Sequence, residues 1–166
     1  MKFLAASVAA LSALAFANVA HAQGAKKIFF EGDIIRGAQA GAPGPFCVLN
    51  SQFKRLEKVV FRLRLVDQDG KPIDDKGIKS LVVELPDGKK IEGKYGQHPP
   101  RGQAADYFWT AAWQIPNEYP TGTFFYKAVA TDQSGQTHTW EPFKIKTSQF
   151  NVIDGAIEIK APPAKK

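Results

Sequence analysis

Within residues 59–67 apolar and charged side chains alternate strictly from Phe61 to Leu65, and a period of two suits a strand buried on one face, not a helix. Phe61, Leu63 and Leu65 fall on one side, with Arg62 and Arg64 on the other. Asp67-Gln68-Asp69-Gly70 closes the run with turn chemistry, and such punctuation returns roughly every ten residues along the chain. Residues 80–85 (SLVVEL) and 89–95 (KKIEGKY) flank Pro86-Asp87-Gly88, a hairpin signal. Residues 107–115 alternate again, with Trp109, Ala111, Trp113 and Ile115 on one side. A turn over 116–122 leads into a strand over 123–131 (TFFYKAVAT), and 132–135 (DQSG) turns that strand into residues 136–146. No convincing helix and no internal repeat interrupts this pattern.

The remaining segments are read in the same way. A first strand over 28–35 is expected to be broken by a bulge at Gly32. Residues 37–45 (GAQAGAPGP) form a loop, 46–49 a brief strand and 50–52 a turn. Residues 96–106 read as a long loop, because Pro99-Pro100 excludes a helix there. Residues 150–153 and 156–159 extend a final edge strand, and 161–166 (APPAKK) form a disordered basic tail. About seven or eight short strands of this kind predict one all-β domain over 23–160, an antiparallel sandwich.

The first twenty-two residues belong to a different category. Lys2 is followed by an Ala-rich apolar stretch that ends in Ala20-His21-Ala22, the small-x-small pattern of a secretory signal peptide cleaved after Ala22. The stretch is short for a membrane span, no second one follows, and the mature chain is expected to carry no transmembrane segment. The expected location is periplasmic or secreted.

Composition then excludes several chemistries. The chain has one Cys and one Met, and the Met leaves with the signal. An intrachain disulfide, a CxxCH haem attachment and a Cys-cluster metal site are excluded, as is copper held by Met. Lys and Arg number 22 against 16 Asp and Glu, a formal charge of +6 that falls by one with Lys2. The cations are scattered and no Arg-rich run is interleaved with aromatics, so nucleic acid is not an expected partner. No GxSxG, HExxH or paired-carboxylate motif is present, so no enzyme and no cofactor is predicted.

Residues 119–135 (YPTGTFFYKAVATDQSG) carry a resemblance. They look like the penultimate strand and following turn of bacterial immunoglobulin-like and fibronectin III-like domains. The resemblance implies an immunoglobulin-like β-sandwich without the antibody disulfide, with Tyr119 placed as a tyrosine corner. It implies no particular activity, because this fold hosts many.

Four features are candidates for chemistry. Cys47 lies among Phe46, Val48 and Leu49 and is expected to be a buried small hydrophobe; an intermolecular disulfide and a metal or thiol-redox role are the alternatives. Cys47, His98 and His138 are the only candidate metal set, although their spacing matches no local motif. Tyr107, Phe108, Trp140 and Phe143 are candidates for an exposed aromatic platform, whereas Trp109 and Trp113 are expected in the core. The 96–106 loop offers His98 and Arg101, which with Tyr107 and Trp140 make the candidate binding set. The expected function is an exported, non-enzymatic binding or accessory module that engages another envelope or secreted protein, with edge-strand addition as a mode. A glycan-binding module and a thiol or metal protein centred on Cys47 are the alternatives.

Overall fold

The computed structural model describes residues 27–98 and 106–160. The expected signal peptide over 1–22, Arg101 and the expected basic tail over 161–166 lie outside the described residues. Among the described residues, eleven strands and a single 3-10 turn (Lys146–Ser148) make up the regular structure. The strands are β1 (Phe29–Arg36), β2 (Gln52–Arg55), β3 (Lys58–Val66), β4 (Ile78–Glu84), β5 (Lys90–Glu92), β6 (Lys94–His98), β7 (Asp106–Gln114), β8 (Gly122–Phe124), β9 (Lys127–Asp132), β10 (Thr137–Trp140) and β11 (Phe150–Ala156). They form two antiparallel four-stranded sheets, ordered β1-β3-β7-β6 and β10-β9-β4-β5, and a three-stranded sheet ordered β2-β11-β8. Among the described residues, no helix is long and apolar enough to cross a membrane.

The alternation in β3 does what a period of two requires. Phe61, Leu63 and Leu65 are buried, while Arg62 and Arg64 stay half-exposed on the outer face. From the facing sheet, Leu81, Val83, Ala128 and Ala130 complete the core. Trp109 enters the same core and its indole Nε1 donates to the Ile73 carbonyl at 3.0 Å; Trp113 is only half-buried against it. The third sheet closes one end of this arrangement. Leu56 and Glu57 exchange backbone hydrogen bonds with Ile115, so β2 runs into the start of β3 beside the end of β7. There Phe150 is fully buried among Phe53, Phe61, Trp113, Tyr119 and Phe124.

Several local expectations are corrected. β1 pairs with β3 in unbroken register through Gly32, so no bulge is present. Residues 46–49 form no strand and make only a bridge between Leu49 and Ile35. The 89–95 run divides at Gly93, β5 staying with β4 while β6 crosses to β7. Gly93 N–H donates to Leu81 O at 2.8 Å, and a Cβ at Gly93 would come within 2.9 Å of Leu81 Cδ2, so the crossing point has no room for a side chain. β6 also carries residues 96–98 as strand, where a loop was expected.

The 123–131 run divides too, because β8 pairs with β11 whereas β9 pairs with β4 and β10. The 136–146 run is strand only over β10. β11 is central rather than an edge, parallel to β2 on one side and antiparallel to β8 on the other. β2 begins at Gln52, inside the expected 50–52 turn, and its remaining residues carried no expectation.

Candidate functional site

The four-stranded sheets end together on one side, with β1 and β10 as neighbouring edges. The edge of β1 is half-covered by the chain's own residues 47–50. Arg36 N–H donates to Val48 O at 3.0 Å, Cys47 N–H to Arg36 O at 2.7 Å, and Asn50 N–H to Ile34 O at 3.0 Å. These bonds show that even-numbered residues of β1 aim their backbone groups away from β3. The unbroken register carries the same orientation to Gly32 and Phe30. At Ser51 the chain leaves for β2, and among the described residues nothing pairs with the backbone of Gly32 or Phe30 on that side. Gly32 is exposed, so these groups face solvent.

A groove of about 610 Å³ runs beside this unpaired stretch. Gly32, Ile34, Leu49, Tyr126, Trp140 and Phe143 line it, with Asp33 and Glu141 at its rim. Trp140 forms the floor, stacked on Phe30 with centroids 6.5 Å apart and edge-on to Tyr126 at 6.3 Å. Burial, and secondarily the Asp33 charge, push the Tyr126 phenol well above its ordinary range. Leu49 and Phe143 are 70% and 82% exposed, a large apolar rim for two side chains with no packing duty. Beyond buried Pro142 a second depression of about 360 Å³ adds Phe125, which is 52% exposed. Gln149 lines that depression, its Nε2 donating to Phe143 O at 2.7 Å while its buried Oε1 has no partner.

The outer face of β1 carries charge. The guanidinium of Arg62 grips Asp33, Nε to Oδ1 at 2.9 Å, and that hydrogen bond raises the arginine's already high pKa. Arg64 donates to Asp106 at 2.8 Å and lies 3.9 Å from Glu31. The Arg64 bond holds the Asp106 carboxyl below its usual range. Both guanidinium groups sit over Phe108, 4.9 and 5.9 Å from its centroid.

The candidate binding set is not brought together. His98 is on β6, edge-on to Phe108 at 6.5 Å, and pairs across the hairpin with Asp106. Tyr107, next along β7, points to the opposite face and stacks on Tyr95 at 5.7 Å. Trp140 touches Gly32 on β1, three strands from β6, which at normal strand spacing is roughly 14 Å away. The aromatic platform of Tyr107, Phe108, Trp140 and Phe143 therefore divides: only Trp140 and Phe143 share a site. Around Tyr95 and Trp109 lies a separate depression of about 500 Å³, lined also by Asp75, Glu92 and Lys94. Burial first, then Asp74 and Asp75, raise the Tyr95 phenol.

The candidate metal set is separated as well. Cys47 is exposed beside the end of β1, against the expectation of burial, because its backbone follows the sheet edge and turns its side chain outward. His138 on β10 meets Asp132 Oδ2 at 3.2 Å, and His98 is on the far edge. Among the described residues, no group of three or more His, Cys, Asp or Glu could hold a metal ion. Tyr119 is buried, but its hydroxyl finds no hydrogen-bond partner, so the backbone bond of a tyrosine corner is not formed. Burial, then the nearby Asp87 carboxylate, push its phenol to about 12.

The groove itself left one signal in the sequence that was misread. A glycine inside an otherwise regular strand marks close approach of another group as often as a bulge. Here the approaching group is the Trp140 ring. Neither a comparison with protein-family models nor a search of curated proteins finds a match to this chain.

Proposed function

We propose that this chain is an exported immunoglobulin-like module, without catalytic activity, that binds another envelope or secreted protein along the open edge of β1. The strand order supports the fold assignment: β1-β3-β7-β6 over β10-β9-β4-β5 has the arrangement of strands A-B-E-D over G-F-C-C′. On that correspondence β9 is the penultimate strand F, where the 119–135 resemblance places it, and the β2-β11-β8 sheet is an addition. Export rests on the signal-peptide pattern of residues 1–22.

The observation that carries the binding assignment is the unpaired backbone of Phe30 and Gly32 beside a groove rimmed by exposed Leu49 and Phe143. An open edge is a template for a strand from another chain, and an apolar pocket beside it adds selectivity. Affinity capture from the native envelope, wild type against a Leu49→Asp/Phe143→Asp variant of equal melting temperature, tests it. A partner retained by the wild type and lost from the variant is expected. The same proteins on both, or none on either, overturns the assignment. Sequencing of the exported form should begin at Gln23.

One observation favours a second function, glycan binding. Tyr107, 48% exposed, stacks on Tyr95 beside the depression that holds Asp75 and Glu92. Aromatic faces and carboxylates suit sugar rings and their hydroxyls. Tryptophan fluorescence that responds to envelope polysaccharides, and stops doing so in Tyr107→Ala, would transfer the function to this face.

A further inference from the structure

We infer that the segment accepted by β1 is an extended peptide alternating basic and apolar residues; this rests on the edge-binding function proposed above and names its partner's chemistry. Phe30 and Gly32 aim their backbone groups outward, so residues placed opposite them on an added strand exchange hydrogen bonds with them. The side chains of those residues lie on the same face as Phe30 and Gly32, toward Trp140 and Tyr126 in the groove. That face selects apolar residues.

The intervening residues stand opposite Glu31 and Asp33. They form non-hydrogen-bonded pairs, in which Cα atoms approach to about 4.5 Å and side chains interact most closely. Glu31 and Asp33 already have cations on their other flank, Arg64 and Arg62 of β3. A Lys or Arg on the added strand would extend each row to cation, carboxylate, cation across three strands. Carboxylates there would face carboxylates.

The same pairing argues against a second copy of this chain as the occupant. Antiparallel β1-to-β1 pairing centred on Gly32 sets Glu31 against Asp33 of the copy, and the register shifted to pair Phe30 with Gly32 sets Glu31 against Glu31. Registers further toward Arg36 are closed because Asn50 already occupies Ile34 O, and the register centred on Phe30 sets Glu31 against Phe29, which gives that carboxylate no cation. The chain's own residues 47–50 show that this edge accepts backbone pairing in the antiparallel sense.

Three capped, dye-labelled peptides test the inference by fluorescence anisotropy against the full mature chain: Lys-Val-Lys-Val-Lys, Glu-Val-Glu-Val-Glu, and the lysine peptide N-methylated at both valines. The protein is net basic, so attraction to its overall charge favours the glutamate peptide, whereas the edge favours lysine. The lysine peptide is expected to bind at least tenfold tighter than either control. Glu31→Lys is expected to abolish most of the lysine preference, since only Asp33 then remains; Glu31 is 65% exposed and its 3.9 Å contact with Arg64 is a long one, so this change leaves the fold intact. Equal binding of the N-methylated peptide overturns strand addition itself. Glutamate binding as tight as lysine, with N-methylation still harmful in the matched backbone, overturns only the basic chemistry. Failure of all three peptides to bind overturns the inference, while the envelope capture above remains the separate measure of whether any protein docks here.

Discussion

The indole of Trp140 lies directly against the bare Cα of Gly32: a Cβ at Gly32 would sit 2.6 Å from Cη2 and 2.9 Å from Cζ3. That contact joins the two sheets beside the open edge of β1 and fixes the floor of the groove. Gly32→Ala should therefore destabilise the fold by about 1–3 kcal/mol through overpacking, although alanine is otherwise the better strand residue. Urea unfolding measures this, and the penalty should shrink in a Trp140→Leu background because the two sites are in contact. A Gly32→Ala protein as stable as wild type would remove the packing explanation for this glycine.

Asp132 organises the turn between β9 and β10. Its Oδ1 accepts from Ser134 N–H, Ser134 Oγ and Gln136 N–H at 2.6–2.9 Å, while Oδ2 faces His138. The Ser134 hydroxyl, followed by His138, holds its pKa at about 2. That lies below the value near 3.9 of an unfolded aspartate, so the native state binds protons less readily. The stabilisation is complete above about pH 4 and fades as pH falls toward 2. Glu84, held low by Lys127 and Lys90, and Asp106 act with the same sign. Asp132→Asn should be less stable than wild type at pH 7, with the two curves converging between pH 4 and 2. Urea midpoints across that range check it; curves that stay parallel would assign the acid sensitivity elsewhere.

Cys47 adopts φ of 58°, a left-handed conformation that costs a non-glycine residue about 1–3 kcal/mol unless its surroundings impose it. The imposing contact is its N–H bond to Arg36 O at 2.7 Å. Cys47→Gly should equal or exceed wild-type stability, and Cys47→Val should lose about 1–2 kcal/mol. Because the thiol is exposed, one equivalent should react with Ellman's reagent in native buffer. A thiol silent until denaturant is added would contradict the exposed placement.

The contrast between what was legible and what was not follows the range of the interactions. β3 and β7 were readable because one face of each is buried by side chains whose period is visible locally. The turns at Asp67, Asp87 and Asp132 were readable because one carboxylate accepts from backbone N–H groups within four residues, two each at Asp67 and Asp132 and one at Asp87. Gly93 and the Phe124–Lys127 break were not readable, since a strand that changes sheets keeps its local alternation and alters only its distant partners. The site suffered most from this. Gly32 meets Trp140 and Phe143 across more than a hundred residues of chain and Leu49 meets them across more than ninety, whereas the adjacency of Tyr107 and Phe108 suggested a shared surface that strand geometry forbids.

Asn151 is the clearest case of a polar residue whose burial is explained by long-range contacts. It is 2% exposed in the middle strand of the small sheet. Its Nδ2 donates to the carbonyls of Ser51, Lys146 and Gln149 at 2.7–2.9 Å, and its Oδ1 accepts from Thr123 Oγ1 at 2.7 Å. One carboxamide thus joins the approach to β2, the 3-10 turn and β8 to β11. Replacing it by Leu leaves Gln149 O without that donor and Thr123 Oγ1 without its acceptor, while Ser51 O keeps the Asn151 N–H and Lys146 O keeps the Gln149 N–H, so the cost is about 1–3 kcal/mol for each orphaned group not rescued by water. Asn151→Asp is predicted to be worse than Asn151→Leu at pH 7, because a carboxylate would face the same carbonyl oxygens. Its deficit should shrink on acidification, since burial beside acceptors favours the protonated form, which can donate. Urea midpoints of the three proteins at pH 7 and pH 5 measure both effects. An aspartate variant as stable as the leucine variant at pH 7 would mean that the pocket around residue 151 admits water and that the small sheet is held by Phe53 and Phe150 alone.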